Sequence, residues 1–463
     1  MQILQKIVAH KKLEIANLPK IPASISNSNF EKFESRNFFR AISGRENLKL
    51  IAEIKKKSPS RAAIFRGENF DAAKLANEFE TAGAAAISVL TDREFFGGSF
   101  SNLTAAKNST KKIPILAKDF FISRRQIFAA KSAGADAVLL IARILSPAKL
   151  NELFEFARNL NLRAVVEVFD ETDCEKLQNC GAKIVGINSR NLENFSENCG
   201  RIFKIARQIP DRNLIAMSGF FGAETQILSG KFDAVLAGTA ICGAENPAAK
   251  ITEILRPKKL VKFCGIRNLN SAEFCEKNSV DFVGFNFVEK SRRKIEISAA
   301  QKLRLIFQKT KTVGVFADLK FEKVAEICEK LNLNFAQFHG GESPDFCEKL
   351  PIATIRAFKI SADFDFQILR KFEKSCDFFL FDGKTPGAGE SFDWEILVKF
   401  LEREKFAGKF FIAGGISFKN CAEVLRRFSK FKNFLGVDTA SGIEFENEFS
   451  AERATEILKK IQK

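Results

Sequence analysis

A tandem pair of (β/α)8 barrels is the fold class the sequence predicts, and three observations predict it. Short β-rich runs alternate with amphipathic helical stretches, the pattern of a parallel sheet joined by crossover helices. The runs come in two sets of eight along 463 residues, a length sufficient for two domains with sizeable cores. Polar residues recur at the C-terminal ends of the runs, the rim at which barrels of this kind do their chemistry.

The first set runs LKLIAEIK (48–55), AAAISVLT (84–91), IPILAKDF (113–120), ADAVLLIA (135–142), LRAVVEVF (162–169), KIVGINSR (183–190), NLIAMSG (213–219) and DAVLAGT (233–239). Helical stretches such as AAKLANEFETAGA and PAKLNELFEFARNL separate them. The second set runs LVKFCG (260–265), VDFVGFNF (280–287), KTVGVFAD (311–318), NFAQFHG (334–340), IATIRAFK (352–359), DFFLFDG (377–383), KFFIAGG (409–415) and FLGVDTASG (434–442). A short polar joint, RPKK at 256–259, lies between the sets, which predicts domains over 1–256 and 257–463. An open doubly wound sheet is the alternative. Such sheets rarely use eight regular strands, and no G-x-G-x-x-G follows either first strand.

Composition narrows the function. The chain is 46% hydrophobic and 28% charged, which suits packed cores, and no run is long and uncharged enough to span a membrane. The N-terminal MQILQKIVAHKKLEIANL mixes charge into its apolar residues and reads as an amphipathic helix rather than a signal peptide. Ten scattered cysteines with no Cys-x-x-Cys read as reduced thiols, so a cytoplasmic protein is expected. Two histidines, His10 and His339, are too few for a His-rich metal site, and no tyrosine exists to act as acid or base. The net charge of +17 raises the possibility of nucleic-acid binding. Residues 1–256 hold 37 Lys and Arg against 27 Asp and Glu, and residues 257–463 hold 36 against 29, so no basic arm gathers the excess. A basic surface that attracts small anionic substrates is the expectation, with no nucleic acid, membrane or cofactor.

Strand ends supply the candidate chemistry. In LIAEIKKKSPSR, Glu53 and Lys55 fall on one face of a strand, and lysines and a Ser-Pro-Ser turn follow. Lys118 and Asp119, Glu167, Asn188 and Arg190, and Ser218 end later runs of the first set. Cys264, Asp318, His339, Arg356, Asp382 and Asp438 hold the equivalent places in the second. One charge at a strand end is ordinarily a solvated loop residue, but a series on schedule predicts two pockets. Small residues close the last two strands of each set: Ser218-Gly219 and Gly238-Thr239, then Gly414-Gly415 and Ser441-Gly442. Glycine lets backbone N–H groups approach an anion, so each half is expected to bind a phosphate there. Gly383-Lys384-Thr385 only imitates a P-loop, because Phe378 stands where its first glycine belongs.

These residues carry a resemblance. The first half resembles indole-3-glycerol-phosphate synthases in EIKKKSPS, VLTDREFFGGS, ILAKDF, VVEVFDE and VGINSRNL. The second resembles phosphoribosylanthranilate isomerases in VKFCGI, VGFNFVEKSRRKI, FAQFHGGE, FDGKTPGAGESFDW, FIAGGI and VDTASGIE. The order is that of bifunctional tryptophan-pathway enzymes. For the second half the resemblance implies an Amadori rearrangement of N-(5-phosphoribosyl)anthranilate, with Asp382 as general acid, Cys264 as general base and Arg293 binding substrate. For the first it implies ring closure and decarboxylation to indole-3-glycerol phosphate. Lys118 would be the general acid, Glu167 the general base and Glu53 a supporting carboxylate. Lys55, Asn188 and Arg190 would bind the carboxylate and nearby polar groups, with Lys57 and Ser58 beside the phosphate. A monomer acting on phosphorylated anthranilate-sugar substrates is expected.

Three departures from the family patterns stand out. Met217 replaces the usual Glu of Glu-Ser-Gly, Arg292 replaces a proline beside Arg293, and Gly387-Ala388-Gly389 thins a glycine loop. Two rival readings exist: a histidine-pathway pair of sugar-phosphate isomerases, which relies on paired aspartates, and a non-catalytic basic scaffold. Cys264 with Asp382 argues against the first.

Overall fold

Sixteen parallel strands close into two rings of eight in the computed structural model, which describes residues 3–24, 30, 32–59, 62–65, 69–193, 196–256, 258–383 and 391–462. The first ring is β1 (Lys49–Ile54), β2 (Ala86–Leu90), β3 (Ile115–Lys118), β4 (Ala137–Ile141), β5 (Arg163–Val168), β6 (Ile184–Asn188), β7 (Asn213–Met217) and β8 (Ala234–Ala237). The second is β9 (Leu260–Cys264), β10 (Phe282–Asn286), β11 (Lys311–Phe316), β12 (Phe335–Phe338), β13 (Ala353–Lys359), β14 (Phe378–Asp382), β15 (Phe410–Ile412) and β16 (Phe434–Thr439). Each ring shuts by pairing its first strand with its last, Ala52 opposite Ala237 and Phe263 opposite Thr439. All sixteen strands fall within the runs read from the sequence. The chain divides into two compact units, Met1–Arg256 and Pro257–Lys463.

Alternation along the strands sorts the side chains. Residues such as Val283, Phe285, Phe379 and Phe381 point outward into the core shared with the helices. Their neighbours point into the ring. In the second barrel Phe282, Phe335, Phe378 and Phe411 meet edge-on across the interior with centroids 5.6 to 5.8 Å apart. Two residues further along three of these strands stand Gly284, Gln337 and Leu380, and beyond them the polar rim.

At the opposite end, both rings use one repeated device. An Asp or Asn just before a strand accepts the backbone N–H that begins a neighbouring strand: Asp136 from Ile115, Asp233 from Leu214, Asp281 from Val261, Asn334 from Thr312 and Asp377 from Thr354, at 2.8 to 3.0 Å. Each satisfies a donor the sheet leaves unpaired. Asp136 also takes the Arg36 N–H at 2.7 Å, and both its oxygens lie 2.8 Å from the buried Lys107 ammonium.

The N-terminal helix Ile3–Ala16 forms as expected, with Leu4 and Ile7 in the core. One of its charges is not solvated: Lys11 is 1% exposed and its ammonium lies 2.8 Å from both Asp92 and Asp119. Those carboxylates follow β2 and β3, so this helix packs on the C-terminal rim of the first barrel.

Asp136→Ala strips the partner from a buried ammonium and two backbone donors together. Loss of about 3–5 kcal/mol is expected, read as a lower midpoint in denaturant unfolding of the first unit.

Candidate active sites

In the first barrel the strand-end residues converge on one pocket. Glu53, Lys55, Lys118, Glu167, Asn188 and Arg190 line it beside the apolar Phe96, Leu192, Met217 and Leu236. Lys55 Nζ lies 2.7 Å from Glu53 Oε1, and Lys118 Nζ lies 3.7 Å from Glu167 Oε2. Asn188 donates to the other Glu167 oxygen at 3.0 Å, which fixes the carboxylate plane. Burial pushes the Glu53 carboxyl up, but Lys55, Lys118 and Arg190 outweigh it and leave the group below its ordinary value. Glu53 is therefore a fixed anion between lysines. Gly238 makes room for it, since a Cβ there would sit 2.4 Å from Glu53 Oε1.

Ser218, Gly219, Gly238 and Thr239 line the same pocket. Ser218 and Gly219 are both left-handed, with φ of 66° and 73°, and this turns the chain sharply at the pocket wall. Arg190 donates through Nε to Glu197 at 2.6 Å, a partner from its own loop that the strand pattern could not reveal.

Lys57 and Ser58, expected beside the phosphate, do not line the pocket, although Pro59 of the same turn does. After Lys55 the strand ends: the Lys56 carbonyl accepts the N–H groups of Ile64 and Phe65, and Lys56 is exposed. Lys57 instead lies along Gly97, where an added Cβ would meet its Cε at 3.3 Å, and Ser58 is buried. Only the first lysine of the run faces inward, because the strand and its alternation end there.

The second pocket gathers Cys264, Asn286, Arg293, Asp318, Gln337, His339, Asp382 and Asp438. Of the ten cysteines, nine are buried and Cys264 alone is partly exposed. Beneath it lies Lys262, fully buried, with Nζ 3.0 Å from both Asp438 oxygens and its charge beside the Cys264 thiol. Gly284 on the paired strand leaves the space: a Cβ there would lie 2.7 Å from Sγ and 3.2 Å from Nζ. Burial pushes the Cys264 thiol up, against the pull of Lys262 and Arg293.

Asp382 ends β14. Burial, with the Asp438 charge behind it, pushes its carboxyl up to about 6, although the Gly383 N–H at 2.8 Å, Lys262 and Lys359 oppose the shift. His339 is pushed down to about 3 by burial and by Lys262, Arg356 and Lys359, so it is a neutral imidazole, 2.7 Å from the Gln337 amide nitrogen. Arg293 is buried and held by both oxygens of Glu444 at 2.6 Å. Gly414 and Gly415, at φ of 77° and 63°, and Ser441 line the pocket.

Two residues named from the sequence do other work. Gly442 is not in the wall; a Cβ there would lie 2.0 Å from the Ile416 carbonyl, so its glycine serves close packing. Arg356 lies behind the wall, paired with Glu342 at 2.8 Å and donating to the Gly340 carbonyl at 2.6 Å. Residues 384–385 and 387–389, the P-loop imitation and the glycine loop, lie outside the described residues. The strand-end pattern missed Lys262, Asn286, Gln337 and Lys359. Lys262 carried the same signal as Glu53, a charge two places from a second reactive residue on one strand face.

Among the described residues no group of three His, Cys, Asp or Glu could hold a metal ion, and no helix is long and apolar enough to cross a membrane.

Known proteins match both halves. The family of indole-3-glycerol phosphate synthases matches residues 4–254, and that of N-(5'phosphoribosyl)anthranilate (PRA) isomerases matches residues 261–448. The tryptophan biosynthesis protein TrpCF of Buchnera aphidicola subsp. Diuraphis noxia is 31% identical over 96% of this chain and 94% of its own length. Its counterpart in Helicobacter pylori strain 26695 is 30% identical over 96% and 95%. The crystal structure of phosphoribosyl anthranilate isomerase from Thermus thermophilus is 29% identical and covers 44% of this chain and 98% of that one, with a TM-score of 0.40. With both family matches in tandem and relatives that align from end to end, the chain belongs to the bifunctional tryptophan-biosynthesis proteins, which join an indole-3-glycerol phosphate synthase to a phosphoribosylanthranilate isomerase.

Proposed function

We propose that residues 257–463 isomerise N-(5-phosphoribosyl)anthranilate and that residues 1–256 consume the product, with the catalytic groups divided as follows. In the isomerase, Asp382 protonates the furanose ring oxygen and opens the ring to an iminium. Cys264 then removes the C2 proton, and the electron pair of that C–H bond neutralises the iminium. Arg293, His339 and Asp438 orient the substrate, while backbone N–H groups of Gly414, Gly415 and Ser441 hold its phosphate. The single observation that carries this reading is Asp382, a buried carboxyl on the pocket wall facing the same cavity as the one accessible thiol, where burial favours its protonated form.

In the synthase, Lys118 protonates the ketone oxygen as the arene carbon bearing the carboxylate attacks; that carbon then loses CO2 to restore the ring, and the new hydroxyl is protonated and leaves as water. Glu167, 3.7 Å from the Lys118 ammonium, takes the protons released. Glu53 holds Lys55 toward the substrate carboxylate, and Asn188 and Arg190 bind beside it. Ser218, Gly219, Gly238 and Thr239 hold the phosphate. Both substrates are phosphorylated anthranilate sugars, the protein acts as a monomer, and its ten free thiols suit the cytoplasm.

Each half-reaction has its own machinery, so changes should separate them. Cys264→Ala is expected to lower isomerase kcat by about 10²-fold or more and leave the synthase unchanged; Lys118→Ala should do the reverse. A fluorescence assay run on each substrate checks both. Equal damage to both activities by either change would refute the division.

The productive isomerase pairs protonated Asp382 with thiolate Cys264, the reverse of the order in which these groups ionise. That form is a minor one, and its population is greatest between the two pKa values. The pH profile of kcat/KM should therefore rise to a plateau above about pH 6 and fall only above the ordinary thiol range. A profile falling through pH 6 would contradict the assignment.

Asp382 also bears on stability. Its folded pKa lies above the unfolded value, so its contribution favours folding at low pH and is lost as pH rises from about 4 to about 6. Asp382→Asn should thus stabilise the second unit at neutral pH, on the order of 2 kcal/mol, while abolishing isomerase turnover. Thermal unfolding at pH 4 and pH 7.5 checks the sign: the gain should appear only at the higher pH.

A further inference from the structure

Lys262 is a buried ammonium that neither half-reaction as described employs. It has 0% exposure, sits on the inward face of β9, and does not line the pocket. A lysine buried this completely needs partners for three donors. Both Asp438 oxygens accept from it, at 3.0 Å each, and the ammonium borders the same space as Cys264 Sγ. The period of two along β9 puts Lys262 directly behind Cys264. Gly284 on the adjoining strand keeps the gap open, since any Cβ would enter the space shared by Sγ and Nζ.

We propose that Lys262 is a positioning residue for the isomerase base: anchored by Asp438 under the pocket, it holds Cys264 Sγ by a hydrogen bond and stabilises the thiolate that accepts the substrate proton. This rests on the reading of Cys264 as that base. When the C2 proton passes to Sγ, the thiolate becomes a thiol and Lys262 keeps all its own protons, so nothing is oxidised or reduced. The charges facing Sγ are Lys262 from its own strand, Asp438 from β16, Asp382 from β14 and Arg293 from the loop after β10. Lys359 faces the cavity from β13, and the neutral His339 from beyond β12. Without Lys262 the thiolate loses its nearest cation and faces an unneutralised Asp438. A buried ion pair with only a packing role would have no need to border the reactive thiol across a gap that Gly284 keeps open.

The test uses the full-length chain. Alkylation of Cys264 by iodoacetamide is followed against pH by mass spectrometry of its peptide in wild type, Lys262→Gln and Lys262→Arg. Gln keeps hydrogen bonds to both neighbours without the charge, and Arg keeps the charge. We expect the Gln variant to move the alkylation midpoint up by about one unit or more, to lower kcat about tenfold with KM nearly unchanged, and Arg to recover both. A folded Gln variant with an unmoved midpoint overturns the proposal. Should Lys262→Gln fail to fold, Gly284→Ala decides instead, because its methyl wedges between Sγ and Nζ; an unchanged midpoint in that variant overturns the proposal equally. Failure of the underlying reading is seen separately, as isomerase turnover persisting in Cys264→Ala whatever the alkylation data show.

Discussion

Side chains alternate along a strand, and closing eight parallel strands into a ring makes that alternation decisive. Every second residue points into the packed interior of the ring, and the last inward residue of each strand meets its counterparts at one mouth. The chemistry of both halves follows from this single constraint. Glu53 and Lys118, far apart in the chain, become neighbours of one pocket, as do Cys264 and Asp382 in the other. Phenylalanines fill the second ring below its mouth.

Burial then sets the protonation states, and the two mouths use it in opposite ways. In the first, Lys55, Lys118 and Arg190 outweigh the burial of Glu53, which stays ionised. In the second, Asp438 adds to the burial of Asp382 and pushes that carboxyl toward its neutral form, while Lys262 works against the burial of Cys264. Acid and base are thus tuned through one shared ion pair. The same desolvation that makes Asp382 a usable acid costs stability, an ordinary exchange at a reactive site.

Two of the departures from the family patterns, Met217 and Arg292, have structural accounts. Met217 points into the first ring, where its Cε would lie 2.2 Å from a Cβ on Gly186, so the thioether fills volume and joins the pocket wall. Arg190 finds its carboxylate in Glu197, from the loop beyond β6. Arg292, where a proline is usual, reaches Asn447 and Glu444, and so shares with Arg293 the carboxylate that holds it.

The number and order of the strands, and the inward face of the first, were legible in the amino acids alone. Both rest on local periodicity, which needs no partner to be read. Most of the wall was legible too, because strand ends in a ring share one rim. How far each wall extends was settled only when the rings closed. Lys57 and Ser58 lie past the last inward position, Gly442 is needed by a carbonyl from another loop, and Arg356 turns to Glu342 behind its strand. Lys11 and Lys262 were hidden for the same reason. A buried lysine is legible only through the carboxylates that neutralise it, and those come from residues far away in the chain, brought close when the ring shuts.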